Sequence, residues 1–225
     1  MKIQIAGENA LIIYFAEQAS PQVSALVQQA QQLIEQGCHD VVIELVPSYA
    51  SLLIHFDLFK TDHHHLRIRL RALLASLSSA NILVGNVIEL PAYYHESIGP
   101  ELALIAKRSG LSINEVIALH QARDYRVYAI GFAPGFAYLG DVEPRIATPR
   151  LATPRTRVPR GAIGIADQQT AVYPSESPGG WNILGLCPIA MFDINANPVM
   201  PIKVGDSVRF VAIDKKEFLA LGGTL

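Results

Sequence analysis

The stretch "ATPRLATPRTRVPRG", residues 147–161, holds the side chains with the clearest capacity for chemistry in this sequence. Its arginines are Arg150, Arg155, Arg157 and Arg160, and no acidic residue lies between Glu143 and Asp167. A guanidinium group binds a carboxylate or phosphate through two parallel hydrogen bonds, and proline keeps the backbone around it stiff and extended. The pattern predicts a rigid surface loop that binds a small anion or an acidic partner. The alternative is a solvated loop whose arginines pair with acids of the same chain.

The distribution of charge limits the class of ligand. The chain has 18 basic and 20 acidic residues, a net charge of −2. Five of the basic residues fall between positions 145 and 160, so the rest of the chain carries 13 − 20 = −7. Nucleic-acid-binding proteins are usually basic overall or along one face. One cationic segment on an acidic body instead favours a small anion or one acidic protein surface, and no nucleic acid.

Two glycine- and proline-rich stretches flank the arginines: "GFAPGFAYLG" at 131–140 and "YPSESPGGW" at 173–181. Their glycines predict tight turns, and neither stretch has the spacing of a nucleotide-binding glycine loop. Their aromatic residues could fill a corner of the core or line a site for a planar ligand. Trp181 could do either, and Glu176 could act as a base or pair with an arginine.

The histidines offer one candidate for acid–base chemistry. His120 follows Ile113, Val116 and Ile117 at helical spacing, which predicts that it lies on the apolar face of a helix. A hydrogen-bonded structural histidine and a catalytic histidine both remain open for this position. The three consecutive histidines at 63–65 are not predicted to bind a metal, because neighbouring helical side chains point about 100° apart.

Hydrophobic periodicity divides the chain at the small polar residues of 76–86. Residues 1–84 alternate as two strands, a helix, two strands and a helix, which predicts an α+β domain with an antiparallel sheet and two helices on one face. Residues 85–225 contain two short helices and then short strand-like runs, which predicts a mainly β barrel or sandwich domain. No apolar run approaches the ~20 residues of a membrane span, and the first residues lack the pattern of a signal peptide. We therefore expect a cytoplasmic protein with no membrane contact.

The motifs between 131 and 181, with "GPEL" at 99–102 and "NEVIALH" at 114–120, resemble those of the KipI / allophanate hydrolase subunit 1 family. The resemblance extends over the whole chain and is strongest from Gly99 to Asp193. It implies an N-terminal α/β domain followed by a cyclophilin-like β-barrel. It also implies a non-autonomous subunit of an ATP-dependent 5-oxoprolinase, which opens 5-oxo-L-proline to L-glutamate.

The same resemblance implies specific partners. They are a KipA-type subunit and a LamB/YcsF-type subunit, with ATP bound at a site that the subunits share. Two other functions occur among proteins of this kind and remain alternatives. One is inhibition of a sporulation histidine kinase, and the other is a role related to allophanate hydrolase or urea carboxylase.

The family's motifs also imply roles for individual residues. Catalytic roles are expected for His120, Arg150 and Arg155. Contacts with the substrate are expected for Phe136, Tyr138, Tyr173, Gly179, Gly180 and Trp181. The sequence departs from the family pattern at Arg157 and Arg160, where uncharged residues are more usual, and at His95-Glu96, where two glycines are usual.

Overall fold

The computed structural model describes residues 1–77 and 85–225 of the chain, which divides into two compact units, Met1–Val84 and Gly85–Leu225. Most of the predicted linker at 76–86 falls on residues 78–84, which lie outside the described residues. Each unit has hydrophobic clusters of its own. The two units are therefore described separately.

The first unit is an antiparallel sheet with two helices. Its elements are β1 (Lys2–Gly7), β2 (Ala10–Tyr14), α1 (Pro21–Cys38), β3 (Val42–Pro47), β4 (Ser51–Phe56) and α2 (His63–Leu73), with a short 3-10 turn at Leu74–Ser76. The strand order is β1-β2-β4-β3, and every neighbouring pair is antiparallel. The predicted α+β domain is confirmed.

Local signals set the helices and the buried face of this sheet. Ser20 caps α1 by accepting a hydrogen bond from the backbone N–H of Val23 at 3.1 Å, and Pro21 occupies the first turn. Alternate side chains of β4 point to one face, so Leu52 and Ile54 are both fully buried there. These residues form one cluster with the apolar stripes of α1 and α2. The unit thus has a single two-layer core.

The second unit is a closed barrel of seven strands. Its elements are β5 (Val87–Tyr94), α3 (Leu102–Ser109), α4 (Ile113–Gln121), β6 (Asp124–Ile130), β7 (Ala137–Gly140), β8 (Arg155–Val158), β9 (Ala162–Ala166), β10 (Gln169–Val172), β11 (Ser177–Gly179), β12 (Asn182–Leu186), β13 (Ser207–Ala212) and α5 (Lys215–Ala220). The barrel runs β10-β7-β6-β13-β5-β12-β9 and closes where β9 pairs with β10. Strands β13 and β5 are parallel, and the other neighbours are antiparallel. The predicted barrel domain is confirmed.

Strands β8 and β11 form a two-stranded ribbon separate from the barrel sheet. The arginine-rich stretch, for which the sequence predicts an extended loop, therefore contributes a short strand to this ribbon. Pro154 and Pro159 bracket β8 and limit it to four residues, because proline donates no hydrogen bond to a strand partner. The ribbon register pairs Arg155 with Gly179.

The turn that leads into α3 depends on a close approach between backbones. Gly99 is buried, and its N–H donates to the carbonyl of His95 at 2.7 Å. A Cβ at position 99 would clash with the carbonyl oxygen of Leu184 in β12. Glycine is thus required where this turn crosses the barrel strand.

We expect Gly99→Ala to lower the free energy of unfolding of the barrel by about 1–3 kcal/mol, because the turn must move away from β12. Gly131→Ala is the matched control: nothing lies within 4 Å of a Cβ at position 131. Chemical denaturation followed by tryptophan fluorescence measures both variants, since the single tryptophan lies in this unit. Equal stability of the two variants would contradict the close-approach argument.

Candidate functional site

A pocket of about 110 Å³ lies between the ribbon and the residues around β7. Its lining residues are Phe132, Phe136, Tyr138, Arg150, Tyr173, Pro178, Gly179, Gly180 and Trp181. All six residues expected to contact substrate are thus brought together with Arg150, although they come from the two separate stretches 131–140 and 173–181. His120 and Arg155, the other two expected catalytic residues, do not line the pocket.

The aromatic walls of the pocket are also part of the core. The ring of Phe136 makes edge contacts with the rings of Trp181, Tyr173 and Tyr138, with centroids 5.6, 5.3 and 5.0 Å away. Trp181 is only 5% exposed. Both interpretations of Trp181 are therefore consistent with the structure: its indole packs in the core and also forms one wall of the pocket. Edge-on aromatic packing fixes the orientation of these rings.

Gly179 allows the hydroxyl group of Tyr173 to reach the ribbon. A Cβ at position 179 would collide with that hydroxyl oxygen. Burial raises the pKa of Tyr173, although the positive charges of Arg150 and Arg155 act in the opposite direction. The tyrosine is therefore a neutral hydrogen-bonding group at neutral pH.

Arg150 supplies the cationic side of the pocket. Its guanidinium carbon lies 5.8 Å from the centroid of the Trp181 ring, in the range of a cation–π contact. The side chain is exposed, and the ion pairs found among the described residues involve other arginines. Arg150 can therefore bind an anion that enters the pocket.

Arg155 differs from Arg150, because a carboxylate of this chain already binds it. Its Nη2 donates to Oε1 of Glu101, and its Nη1 lies 3.4 Å from the carbonyl oxygen of Trp181. The second carboxylate oxygen, Oε2 of Glu101, accepts from the backbone N–H of Ile183 at 2.8 Å. The side chains of Glu101 and Arg155 are 8% and 29% exposed. The structure thus uses Arg155 to neutralise a buried acid, instead of leaving it open to a ligand.

The other arginines of the stretch are also explained by their surroundings in the fold. Arg157 pairs with Glu176 at 2.7 Å, on the exposed side of the ribbon. Glu176, for which the sequence left a role as a base open, is therefore engaged in this pair. Arg160 lines a separate cavity of about 430 Å³. Of the four arginines at 150–160, only Arg150 combines an open guanidinium group with a place in the aromatic pocket.

His120 lies inside the barrel and is fully buried. Thr170 Oγ1 donates its one proton to the carbonyl of Gly164 at 3.0 Å, so it accepts from Nε2–H of His120, also at 3.0 Å. Nδ1 of His120 then accepts from the hydroxyl of Tyr94 at 2.7 Å. Burial lowers the pKa of His120 to about 3. The ring is a neutral, fully hydrogen-bonded part of the core, which favours the structural interpretation over the catalytic one.

Two residues of this region have functional geometry that their sequence context does not reveal. Glu101 lies in the "GPEL" motif, and nothing near it in the sequence indicates an arginine partner. Phe132 has a left-handed backbone, with φ of 72°, and is 67% exposed at the pocket. A non-glycine residue with such a φ is strained, and strain of this kind collects at binding sites. The proximity of "GFAPG" to the arginines is the only sequence signal for Phe132.

The described residues give little support for a metal site or for a nucleophilic cysteine. No group of three or more histidine, cysteine or acidic residues among them is arranged to hold a metal ion. Burial raises the pKa of the Cys187 thiol to about 12, so this cysteine is a poor nucleophile. No helix in the described ranges is both long and apolar enough to cross a membrane.

Comparisons with known proteins agree over most of the chain. The family model for the carboxyltransferase domain, subdomains C and D, matches residues 1–202. A 5-oxoprolinase subunit from Bacillus subtilis is 35% identical over 229 residues, which cover 97% of this chain and 95% of that protein. The corresponding 5-oxoprolinase subunit from Haemophilus influenzae is 37% identical over 170 residues, 76% of this chain and 79% of that protein.

Solved structures share the fold. TTHA0988 is 34% identical with a TM-score of 0.80; the match covers 91% of this chain but only 39% of TTHA0988. A conserved protein from Pyrococcus horikoshii is 40% identical with a TM-score of 0.58, and the match covers 96% of this chain and all of that one. The Kluyveromyces lactis urea carboxylase is similar in fold alone. It is 18% identical with a TM-score of 0.77, and the match covers 97% of this chain and 22% of that one.

We expect Arg155→Ala to lower the free energy of unfolding by at least ~2 kcal/mol, because it leaves the carboxylate of Glu101 buried without a counter-charge. Arg157→Ala removes an arginine of the same strand whose pair is exposed, so its cost is expected to stay below ~1 kcal/mol. Thermal or urea unfolding of both variants measures the difference. Similar losses in the two variants would show that the Glu101–Arg155 pair is not structural.

His120 gives a prediction for the dependence of stability on pH. The folded imidazole has a pKa of about 3, below the ordinary value of 6.5. Below pH 6.5 the unfolded chain therefore binds a proton that the folded chain excludes, and stability falls as the pH falls towards 3. Between pH 7 and pH 5 this group is expected to remove about 2 kcal/mol of stability.

Urea unfolding of the wild type and of His120→Gln at pH 7 and pH 5 measures this contribution. The variant is expected to be less stable at pH 7 and to lose about 2 kcal/mol less on acidification than the wild type does. All other side chains are the same in the two proteins, so their contributions cancel in the comparison. An identical pH dependence in the two proteins would mean that His120 is not held neutral by burial.

Proposed function

We propose that this chain is a subunit of an ATP-dependent 5-oxoprolinase. The chain belongs to the family of the carboxyltransferase domain, subdomains C and D. Within that family its sequence resembles the 5-oxoprolinase subunits. The observation that carries this function is the similarity to the Bacillus subtilis 5-oxoprolinase subunit over almost the full length of both chains. The reaction converts 5-oxo-L-proline, ATP and water to L-glutamate, ADP and phosphate.

The chemistry explains why an aromatic pocket with one open arginine is useful. The lactam of 5-oxoproline is a resonance-stabilised amide, and transfer of the γ-phosphoryl group of ATP to its oxygen makes the ring carbon a better electrophile for water. Binding and orientation of the ring lower the barrier of such a step. In this proposal Arg150 binds the negative charge of the substrate, and the walls formed by Phe136, Tyr173 and Trp181 contact its ring; their common place in the pocket lining supports these roles.

The nucleotide requires another location. Ligand pockets for drug-sized molecules measure roughly 300–1,000 Å³, whereas the aromatic pocket measures about 110 Å³. It does not fit ATP. The sequence also has no phosphate-binding glycine loop. We therefore place ATP with the partner subunits, at a site that adjoins this pocket in the assembled enzyme.

The partners are a KipA-type and a LamB/YcsF-type subunit. Both of the 5-oxoprolinase relatives are named as subunits, which supports an assembly of several chains. The chain also spans only 39% of the length of TTHA0988, so that this relative carries a large further segment on the same polypeptide. A separate partner chain takes the place of such a segment in the proposed enzyme.

Reconstitution tests this function. We expect 5-oxoproline-dependent release of ADP only when this chain is mixed with both partner subunits. Arg150→Ala is expected to lower kcat/KM at least ~10-fold, because one charge-assisted hydrogen bond contributes about 1.5–3 kcal/mol. Arg157→Ala serves as the control and is expected to stay within about twofold, since its exposed pair with Glu176 lies outside the pocket lining. A complete mixture of folded subunits that releases no ADP would rule out the proposed function.

A further inference from the structure

Two guanidinium groups lie near the aromatic pocket, and the class of ligand depends on how many of them are open. Arg150 lines the pocket itself. Arg155 pairs with Gly179 in the ribbon, and its Nη1 lies 3.4 Å from the carbonyl oxygen of Trp181; both of these partners line the pocket. Two open arginines would form a strong site for a phosphate dianion. One open arginine suits a single carboxylate. Glu101 decides between these two cases.

The carboxylate of Glu101 is held in one position. It is largely buried, and each of its oxygens has its own donor: the guanidinium of Arg155 and the backbone N–H of Ile183. Its charge offsets that of Arg155, and because the carboxylate is largely buried, solvent screens this interaction only weakly. A phosphate that approached Arg155 would meet the negative charge of Glu101 at close range.

Arg150 has no such counter-charge among the described residues. Its guanidinium group stands over the face of Trp181 at the exposed side of the pocket. No acidic residue belongs to the pocket lining, which is otherwise aromatic rings, glycine and proline. The pocket therefore combines one net positive charge with flat apolar walls in about 110 Å³.

We propose that Glu101 determines which class of ligand this pocket binds. Glu101 neutralises Arg155 and leaves Arg150 as the single open cation. The pocket therefore binds a small ring monocarboxylate and discriminates against phosphate. The carboxylate of the ligand pairs with Arg150, and its ring contacts Phe136, Tyr173 and Trp181. The choice of 5-oxoproline as that ligand rests on the function proposed above. Glu101 is a positioning residue, because it acts on the ligand through Arg155 and does not line the pocket.

The single tryptophan makes the test direct, because Trp181 is the only indole of the chain and lies in the pocket. The full-length chain is titrated with 5-oxoproline, inorganic phosphate and ATP while its fluorescence is recorded. We expect 5-oxoproline to give a saturable change in the wild type and phosphate and ATP to bind at least ~10-fold more weakly. Arg150→Ala is expected to weaken binding of 5-oxoproline at least ~10-fold.

Glu101→Gln is the decisive variant, because glutamine keeps the size of the side chain and removes its charge. It exposes the charge of Arg155, and we expect it to strengthen phosphate binding at least ~10-fold over the wild type. Glu176→Gln is the matched control: it uncovers Arg157 in the exposed ion pair of the same ribbon, and both affinities should remain those of the wild type. Unchanged phosphate binding in folded Glu101→Gln would overturn the proposal.

A double variant keeps the test valid if Glu101→Gln does not fold. Glu101→Gln/Arg155→Gln removes both charges, and we expect it to bind 5-oxoproline within about threefold of the wild type, since the neutralised Arg155 makes no contact with the ligand. Loss of binding in this variant, with a normal melting transition, would show that Arg155 holds the ligand and would overturn the proposal.

Failure of this inference and failure of the proposed function give different results. If the wild-type pocket binds no 5-oxoproline while the reconstituted enzyme releases ADP, the assignment of the pocket is wrong and the function stands. If the pocket binds 5-oxoproline through Arg150 while the complete mixture is inactive, the function is wrong and the charge assignment stands.

Discussion

The pocket depends on the ion pair between Glu101 and Arg155. A largely buried carboxylate is unstable unless its charge and its lone pairs are satisfied. Glu101 meets this condition by accepting from Arg155 of β8 and from Ile183 of β12, so that three distant segments must be in place at once. The ribbon of β8 and β11 has only two short strands, and a two-stranded sheet of that size has little stability by itself. The pair therefore holds the ribbon against the barrel, and the ribbon supplies Pro178 and Gly179 to the pocket.

The aromatic rings make the pocket rigid because they belong to the core. Phe136 packs edge-on against four rings, those of Phe132, Tyr138, Tyr173 and Trp181, so that a rotation of its ring would disturb its neighbours. The absence of a side chain at position 179 is equally necessary, since Tyr173 fills that space. A site built on rigid elements keeps its geometry without a ligand, which reduces the entropy cost of binding.

Local sequence patterns predicted the fold well and the site only in part. Strand alternation, the Ser20 cap and proline positions are local properties, so the α+β domain and a mainly β domain followed from them. The family resemblance implied that the second domain is a barrel. The grouping of Phe136, Trp181 and Arg150 came from the family's motifs. The partner of Arg155 was not predictable from its neighbours, because Glu101 is 54 residues away and only the tertiary fold brings the two together. For Arg157 the outcome differs: the sequence left pairing with an arginine open as one role of Glu176, and the structure shows that pair.

The burial and neutral protonation state of His120 indicate that this residue does not transfer a proton in the proposed reaction. The helical pattern placed this residue on a buried face but could not identify Tyr94 and Thr170, which satisfy both ring nitrogens. A histidine with a pKa of about 3 is a weak base, and this one is surrounded by the barrel core. The pocket lining in the described part of the chain contains one arginine, two tyrosines and no carboxylate or histidine. Such a lining binds and orients an anion but offers no base near neutral pH. Activation of water in the proposed reaction therefore requires a group outside this lining, in keeping with the proposed assembly of several subunits.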